Sequence, residues 1–453
     1  MHIIIVGGGK VGRELAAELP TKGHSVVVVE KDPIIAKKLT EELDVLVINE
    51  DGANMATLKK AKIRQADIFI AVTQIDELNL MTCMMAKNIK VPVAIARVRN
   101  PESQNNIADT GFSQEEIGVD YIINPEKETA VEMSKIVDFP DAVDIEYFAN
   151  GKIVIYAVIV NKGFEMAGQT IYDIPLPDGC IIVGIKRTEG NFIVPSGKDK
   201  IMVGDKVYLV GSAKVIREAS RFLHSEQTVV KKVLILGGDA VGYNLASILE
   251  KNSGRNLQVK LIEKDEIRCE ELNRILKKTV VLQGDTTEMS YYNDEELTDA
   301  DMIVAVTGDD QTNLIAAIMG EKLGAKIVVS EISNVRYSSV YETVDIDNYI
   351  NPHLITASKI LRFTRGKSVQ EFSLLRDENV EALEVLLPAS CLVGGKKVMD
   401  AGLPRGVLIG ALIRNDEIII PDGQTVLQPG DDLIVFTLSS ISNKLERFFC
   451  AVP

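Results

Sequence analysis

The chain has 453 residues, 46% of them hydrophobic and 25% charged, which is length for several buried cores at ~150 residues per domain. Lysine and arginine number 50 against 65 aspartates and glutamates, a formal net charge of −15, and this argues against a nucleic-acid partner, which normally demands a basic face. The five cysteines (Cys83, Cys180, Cys269, Cys391 and Cys450) contain no Cys-x-x-Cys pair, so neither a disulfide framework nor a thiolate zinc site is indicated and a reducing cytoplasm fits.

The chain runs directly into an apolar strand, Ile3 to Val6, without a signal sequence, and no apolar run approaches the ~18 residues that span a bilayer. A soluble protein is expected. Next comes Gly7-Gly8-Gly9-Lys10-Val11-Gly12, a Gly-x-Gly-x-x-Gly turn opening a helix whose apolar stripe is Val11, Leu15, Ala16 and Leu19 and which stops before Gly23. In such a turn the first glycine permits the bend, the second lets a pyrophosphate approach and the third lets helix pack on strand. The free N–H groups of the helix start face the phosphate. The second strand, Val26 to Val29, ends in Glu30, a carboxylate placed to accept ribose hydroxyls and to repel a 2′-phosphate, so NAD is favoured over NADP.

Further β-branched runs at Val45 to Ile48, Ile68 to Val72, Val93 to Ala96 and Tyr121 to Ile123 alternate with amphipathic stretches. They predict a parallel sheet with helices on both faces over residues 1–138. Asp51, just past the third strand, is placed to reach adenine or ribose. Thr73 and Gln74 stand at the carboxyl end of the fourth strand, beside the crevice where ligands of such folds bind. Arg97 ends the fifth strand and has two readings, a bidentate cation for a ligand phosphate or a surface salt bridge. Asp76, Glu77 and Asn79 read as caps of the following helix, as do Asp310, Gln311 and Asn313 later in the chain.

From Asp144 the text changes to strand, turn, strand with little helical periodicity. Ile153 to Val160 is a solid apolar strand, Cys180 to Ile185 and Asn191 to Val194 form a hairpin around Glu189-Gly190, and a helix at Ala213 to Leu223 closes a small β-rich module over 139–225. After a short polar boundary at 224–228 the first pattern returns as Gly237-Gly238-Asp239-Ala240-Val241-Gly242, with Glu263 ending the next strand, Asp285 matching Asp51, and Thr307 matching Thr73. This predicts a second nucleotide-binding unit at 229–366 and a second β-rich module at 367–453. The modules repeat too: Leu176-Pro177-x-Gly179, Pro195-x-Gly197 and Gly204-Asp205 are answered by Leu403-Pro404-x-Gly406, Pro421-x-Gly423 and Gly430-Asp431. A repeat of that length, flanks included, is far more informative than a lone glycine motif.

The copies are unequal. Asp239 replaces the middle glycine and brings a negative charge to the phosphate position, and Glu331 stands where the first copy has Arg97. The second site therefore reads as weaker, differently selective or structural. Reactive groups are scarce: the four histidines (His2, His24, His224 and His353) stand in no hydride-transfer setting, and there is no Walker A, Gly-x-Ser-x-Gly or clustered metal-ligand motif. An NAD-dependent oxidoreductase stays open as the alternative reading, with only Lys10 or the carboxylates at Asp76 and Glu77 to do acid-base work.

The duplicated turn with Glu30, Asp51 and Arg97, its degenerate second copy and the Pro-x-Gly and Gly-Asp modules resemble, over the full length, the peripheral NAD-binding subunits of Trk-type potassium uptake systems. Those subunits are built of two RCK (regulator of potassium conductance) units. The resemblance implies two Rossmann-like doubly wound domains, each followed by a small α+β domain, and a ligand that is NAD or NADH, with ATP or ADP in some members. It also implies no enzymatic activity, a ring of RCK domains (a tetramer) docked on a membrane-embedded potassium transporter subunit at the inner face of the membrane, and binding residues Gly7 to Gly12, Glu30, Asp51, Thr73, Gln74 and Arg97. In the second copy it implies Gly237 to Gly242, Glu263, Asp285 and Thr307.

Overall fold

The structure, a computed structural model, describes residues 1–99, 118–164, 166–223, 228–251, 257–286, 299–334, 337–344, 346, 348–364, 369–374, 380–404, 406–438, 441, 445, 448 and 449. His224, Cys450 and most of the predicted boundary at 224–228 lie outside the described residues. Contacts divide the chain into two compact units, one of residues 1–134 with 230–364 and the other of residues 135–229 with 365–453. Each unit therefore contains one domain from each copy of the repeat.

In the first unit, β1 (His2–Val6), β2 (Ser25–Val29), β3 (Leu46–Ile48), β4 (Ile68–Ala71), β5 (Val93–Arg97) and β6 (Tyr121–Ile123) form a parallel sheet in the order β3-β2-β1-β4-β5-β6. Helices cover both faces, which is why the strands are apolar at nearly every position instead of alternating; Ile3, Ile4 and Ile5 are all fully buried. The order reverses between β1 and β4, and this opens a crevice at the carboxyl ends of those strands. The second copy adds its own parallel sheet to this unit.

The second unit holds two antiparallel sheets. β7 (Asp144–Phe148), β8 (Ile153–Ile159), β9 (Cys180–Lys186), β10 (Phe192–Ile193) and β11 (Lys206–Ser212) run in the order β10-β9-β11-β8-β7, with β9 and β10 forming the predicted hairpin and Ala213–Leu223 the predicted helix. Between these two antiparallel sheets in the sequence come β12 (Lys232–Leu236), β13 (Gln258–Glu263), β14 (Val280–Gln283), β15 (Met302–Ala305), β16 (Ile327–Glu331) and β17 (Asn348–Ile350), which form the first unit's second parallel sheet in the matching order β14-β13-β12-β15-β16-β17. β18 (Val369–Leu374), β19 (Val380–Leu386), β20 (Val407–Arg414), β21 (Glu417–Ile419) and β22 (Asp432–Leu438) then repeat the antiparallel design in the order β18-β19-β22-β20-β21. The two antiparallel sheets share a core in which Ile153, Ile155, Tyr208 and Val210 meet Val380, Ala411, Ile434 and Phe436.

The Gly-Asp signatures of these modules are structural. Asp205 is almost wholly buried, accepts from the Met202 amide at 2.8 Å and is paired with the Arg187 guanidinium. Asp431 does the same with the Gln428 amide (2.7 Å) and takes two bonds of 2.7 Å from Arg414, a bidentate pair.

The helix-capping expectation is corrected. The helix Asp76–Asn88 starts without a side-chain cap, Glu77 is exposed, and Asp76 instead accepts from the Arg99 amide at 2.9 Å. Asn79 is fully buried; its Oδ1 accepts from the Thr73 amide (2.9 Å) and hydroxyl (2.7 Å), and its Nδ2 donates to the carbonyls of Thr73 (3.1 Å) and Arg97 (2.9 Å). One amide thus ties the ends of β4 and β5 at the crevice. Asn313 repeats this with Thr307 and the Glu331 carbonyl. There Asp309 is the cap and Asp310 bonds the amides of Ser333 and Asn334.

Candidate nucleotide site

The crevice at the strand-order reversal has a volume of about 570 Å³, within the roughly 300–1,000 Å³ of small-molecule sites. Gly7, Gly9, Lys10, Val11, Glu30, Asp51, Thr73, Gln74 and Arg97 all border it. Gly8 and Gly12 lie behind this wall, where Gly8 donates its amide to Glu30 and Gly12 lies against the Gly7 carbonyl. Gly7 has φ +106°, and a Cβ there would stand 2.9 Å from the Thr73 amide nitrogen, so the first glycine is demanded by both backbone and space.

Glu30 does more than the sequence suggested. Its Oε2 accepts from the Gly8 amide at 2.6 Å and its Oε1 from the Asp32 amide at 2.8 Å, so the carboxylate braces the turn against β2 before any ribose arrives. The helix Lys10–Thr21 begins at Gly9 with no side-chain cap and no acid in its first turn, leaving its positive end open to an anion. Beside it, Arg97 has a buried Nε without a hydrogen-bond partner and forms no ion pair among the described residues. Burial first, and then the Arg99 charge, lowers its pKa, yet a guanidinium stays cationic. The surface-salt-bridge reading of Arg97 is therefore corrected.

The second copy completes the wall. Its helix Pro352–Leu361 packs on the helix Lys10–Thr21, burying Ala357, Ile360 and Leu361 in the core that holds Val11, Leu15 and Leu19. This brings Pro352, His353, Val241, Glu331 and Ser333 to the crevice, and Lys10 Nζ lies 3.4 Å from the Ser333 carbonyl. The sequence reading missed Arg99, Glu126 and His353 as site residues; the signal that could have found two of them is the duplicated Asn124-Pro125-Glu126 and Asn351-Pro352-His353.

At the second turn, Gly238 bonds Glu263 (2.7 Å) as Gly8 bonds Glu30. Asp239, however, accepts from the amides of Val241 (3.1 Å) and Gly242 (3.3 Å). Its carboxylate occupies the anion position of its own helix, and burial raises its pKa in spite of those bonds. Arg268, at the place of the crevice-lining Ile35, donates to the Gly238 carbonyl at 2.9 Å. Of the predicted second-copy residues only Val241 borders the crevice; Gly237, Ala240, Gly242, Glu263, Asp285 and Thr307 belong to the second turn and its strand ends.

Glu331 is 8% exposed and its Oε2 has no partner. Burial, reinforced by Asp239, Asp310 and Glu126, pushes its carboxyl up to about 8. Burial, with Lys10, Arg97 and Arg99 adding to it, brings His353 down to about 4. Folded Glu331 holds a proton that the unfolded chain has lost, so its contribution weakens as pH rises from its ordinary range to about 8. His353 acts oppositely, and only between about 4 and its ordinary 6.5. Thermal midpoints between pH 6.5 and 8 should therefore fall less steeply for Glu331→Gln than for the natural chain; equal slopes would remove the buried-acid account.

Two parallel sheets of this order, each followed in sequence by an antiparallel companion, give the chain the fold class of tandem RCK-domain structures. The structure matches the crystal structure of the GsuK RCK domain over 100% of this chain and 95% of that one, with TM-score 0.61 at 18% identity. It matches the GsuK channel bound to NAD over 100% of this chain and 79% of that one, also with TM-score 0.61 at 18% identity. A TrkA-N domain model fits residues 3–125 and 233–352, and a TrkA-C domain model residues 155–224 and 382–449. Trk system potassium uptake protein TrkA homolog 1 of Methanosarcina mazei is 33% identical, covering 99% of this chain and 100% of its own. Trk system potassium uptake protein TrkA of Haemophilus influenzae is 30% identical, covering 99% and 98%. The chain belongs to the TrkA family of Trk potassium uptake proteins, and the oxidoreductase alternative is set aside, because these relatives are named as potassium uptake proteins and not as oxidoreductases. No helix among the described residues is long and apolar enough to cross a membrane.

Proposed function

We propose that the chain is the regulatory subunit of a Trk-type potassium uptake system, binding an adenine dinucleotide, NAD or NADH, in the crevice of the first copy and coupling its occupancy to transport by a membrane-embedded partner. The observation that carries this reading is the juxtaposition of an uncapped helix start with the partnerless buried Nε of Arg97 at the strand-order reversal. A pyrophosphate supplies the missing partner of both. Glu30 and Asp51 border the same crevice for the adenosine ribose, and ADP or ATP shares that half of the ligand. The TrkA relatives support the transporter partner, and the NAD in the similarly folded GsuK channel supports the ligand class. Several copies form a ring, taken as a tetramer, on the cytoplasmic face of the transporter.

Coupling follows from linkage: a ligand that touches both copies shifts the ring only by its difference in affinity for the two shapes. Calorimetry on the full chain should detect NAD or NADH binding without turnover, and potassium flux into vesicles carrying the transporter should change when the nucleotide is added. Arg97→Gln should weaken binding by about 10- to 100-fold, the loss of one charge-assisted contact. Absence of heat with any adenine nucleotide would end this reading.

A further inference from the structure

Four buried polar atoms without partners border one crevice: Nε of Arg97, Oε2 of Glu126, Oε2 of Glu331 and Nδ1 of His353. Each such atom is destabilising when left unsatisfied, and native structures keep few of them without a reason. Two come from the first copy and two from the second, whose own glycine turn is filled by Asp239. Glu331 and Glu126 are both more than nine-tenths buried.

The charges on this wall differ in sign. The phosphate end has the bare helix start, Lys10 and Arg97, whereas Glu331 is close enough to Asp239, Asp310 and Glu126 to feel their charges, with Arg99 as the opposing cation. A phosphate fits the first environment and is repelled by the second. An uncharged group with its own N–H donors and carbonyl acceptor fits the second, since Glu331 and Glu126 offer carboxyl oxygens and His353 a ring nitrogen.

We infer that the second copy supplies the specificity end of the first copy's site: Glu331, with His353 and Glu126, seats the amide-bearing second ring of a dinucleotide and rejects the terminal phosphate of a nucleoside triphosphate. This rests on the nucleotide-site reading above and adds to it the residues that choose among nucleotides. It also gives the exchange of Arg97 for Glu331 between the copies a role: the residue that damages the second site for phosphates serves the first.

The test is calorimetry on the full chain with three probes: NAD; ADP-ribose, which lacks the second ring; and ATP. The natural chain should bind NAD more tightly than either of the others. At a pH above about 8, where the Glu331 carboxyl is ionised, Glu331→Gln should lower the NAD-to-ATP affinity ratio by about tenfold or more while leaving ADP-ribose binding within about twofold, a pattern that a general loss of packing does not produce. Glu331→Arg should favour ATP; if that variant fails to fold, the isosteric glutamine variant decides alone. If all three probes bind and Glu331→Gln leaves the NAD-to-ATP ratio within about twofold, the inference is wrong and the nucleotide site stands. If the natural chain binds none of the three, the nucleotide site itself falls and the inference with it.

Discussion

Replacing Gly9 by aspartate is expected to weaken nucleotide binding by about 100-fold or more, ~2.7 kcal/mol, while leaving the fold intact. A Cβ at Gly9 meets no atom within 4 Å, and the backbone there (φ −64°, ψ −168°) is extended and open to any residue. Aspartate is among the preferred helix N-caps. The second copy shows what it does at this position: Asp239 takes the amides of Val241 and Gly242 for itself. In the first copy the same carboxylate would occupy the phosphate position and oppose its charge. Stability should hold or rise by up to ~1 kcal/mol from the new cap. Calorimetry paired with a thermal melt reads both quantities, and retained affinity in a folded G9D chain would refute the assignment of the anion position. Asp239→Gly is not its mirror image, because it clears the second turn but leaves Glu331 where the first copy has Arg97.

Gly12→Ala is expected to act on the fold instead, lowering stability by more than ~3 kcal/mol. Its Cβ would lie 1.9 Å from the Gly7 carbonyl oxygen, a backbone atom held by the turn, so the helix must move off the strand. Gly242→Ala should cost as much, since its Cβ would lie 2.0 Å from the Gly237 carbonyl oxygen. Gly9→Ala, with open space around it, is the control. Urea unfolding of the three variants checks the ranking; a Gly12→Ala midpoint equal to that of Gly9→Ala would contradict the packing geometry.

These pairs explain what was legible in the sequence. The parallel strands were readable because burial on both faces demands unbroken β-branched runs, and Ile3 to Val6 or Ile68 to Ala71 have no other use. The first-copy crevice was readable because its turn is held by local chemistry within one copy, Gly8 to Glu30 and Gly12 to Gly7. Its second-copy wall was not. Glu331 and His353 reach it only because the helix Pro352–Leu361 packs in the core of the first copy, and no local pattern encodes a partner more than three hundred residues away. Asn79 was misread for a related reason: three residues into a helix it looks like part of a cap, whereas full burial turns it toward the strand ends.

That same helix bears on how the two halves could diverge. In a dimer of identical half-length chains, any change at one cleft is made at both, so a charge reversal that spoils a phosphate site spoils it everywhere. Joining the halves in one polypeptide, with a helix of the second sunk into the core of the first, frees each position to change alone. Asp239 and Glu331 are what such freedom permits: one cleft stays open for a ligand while its twin becomes part of the wall.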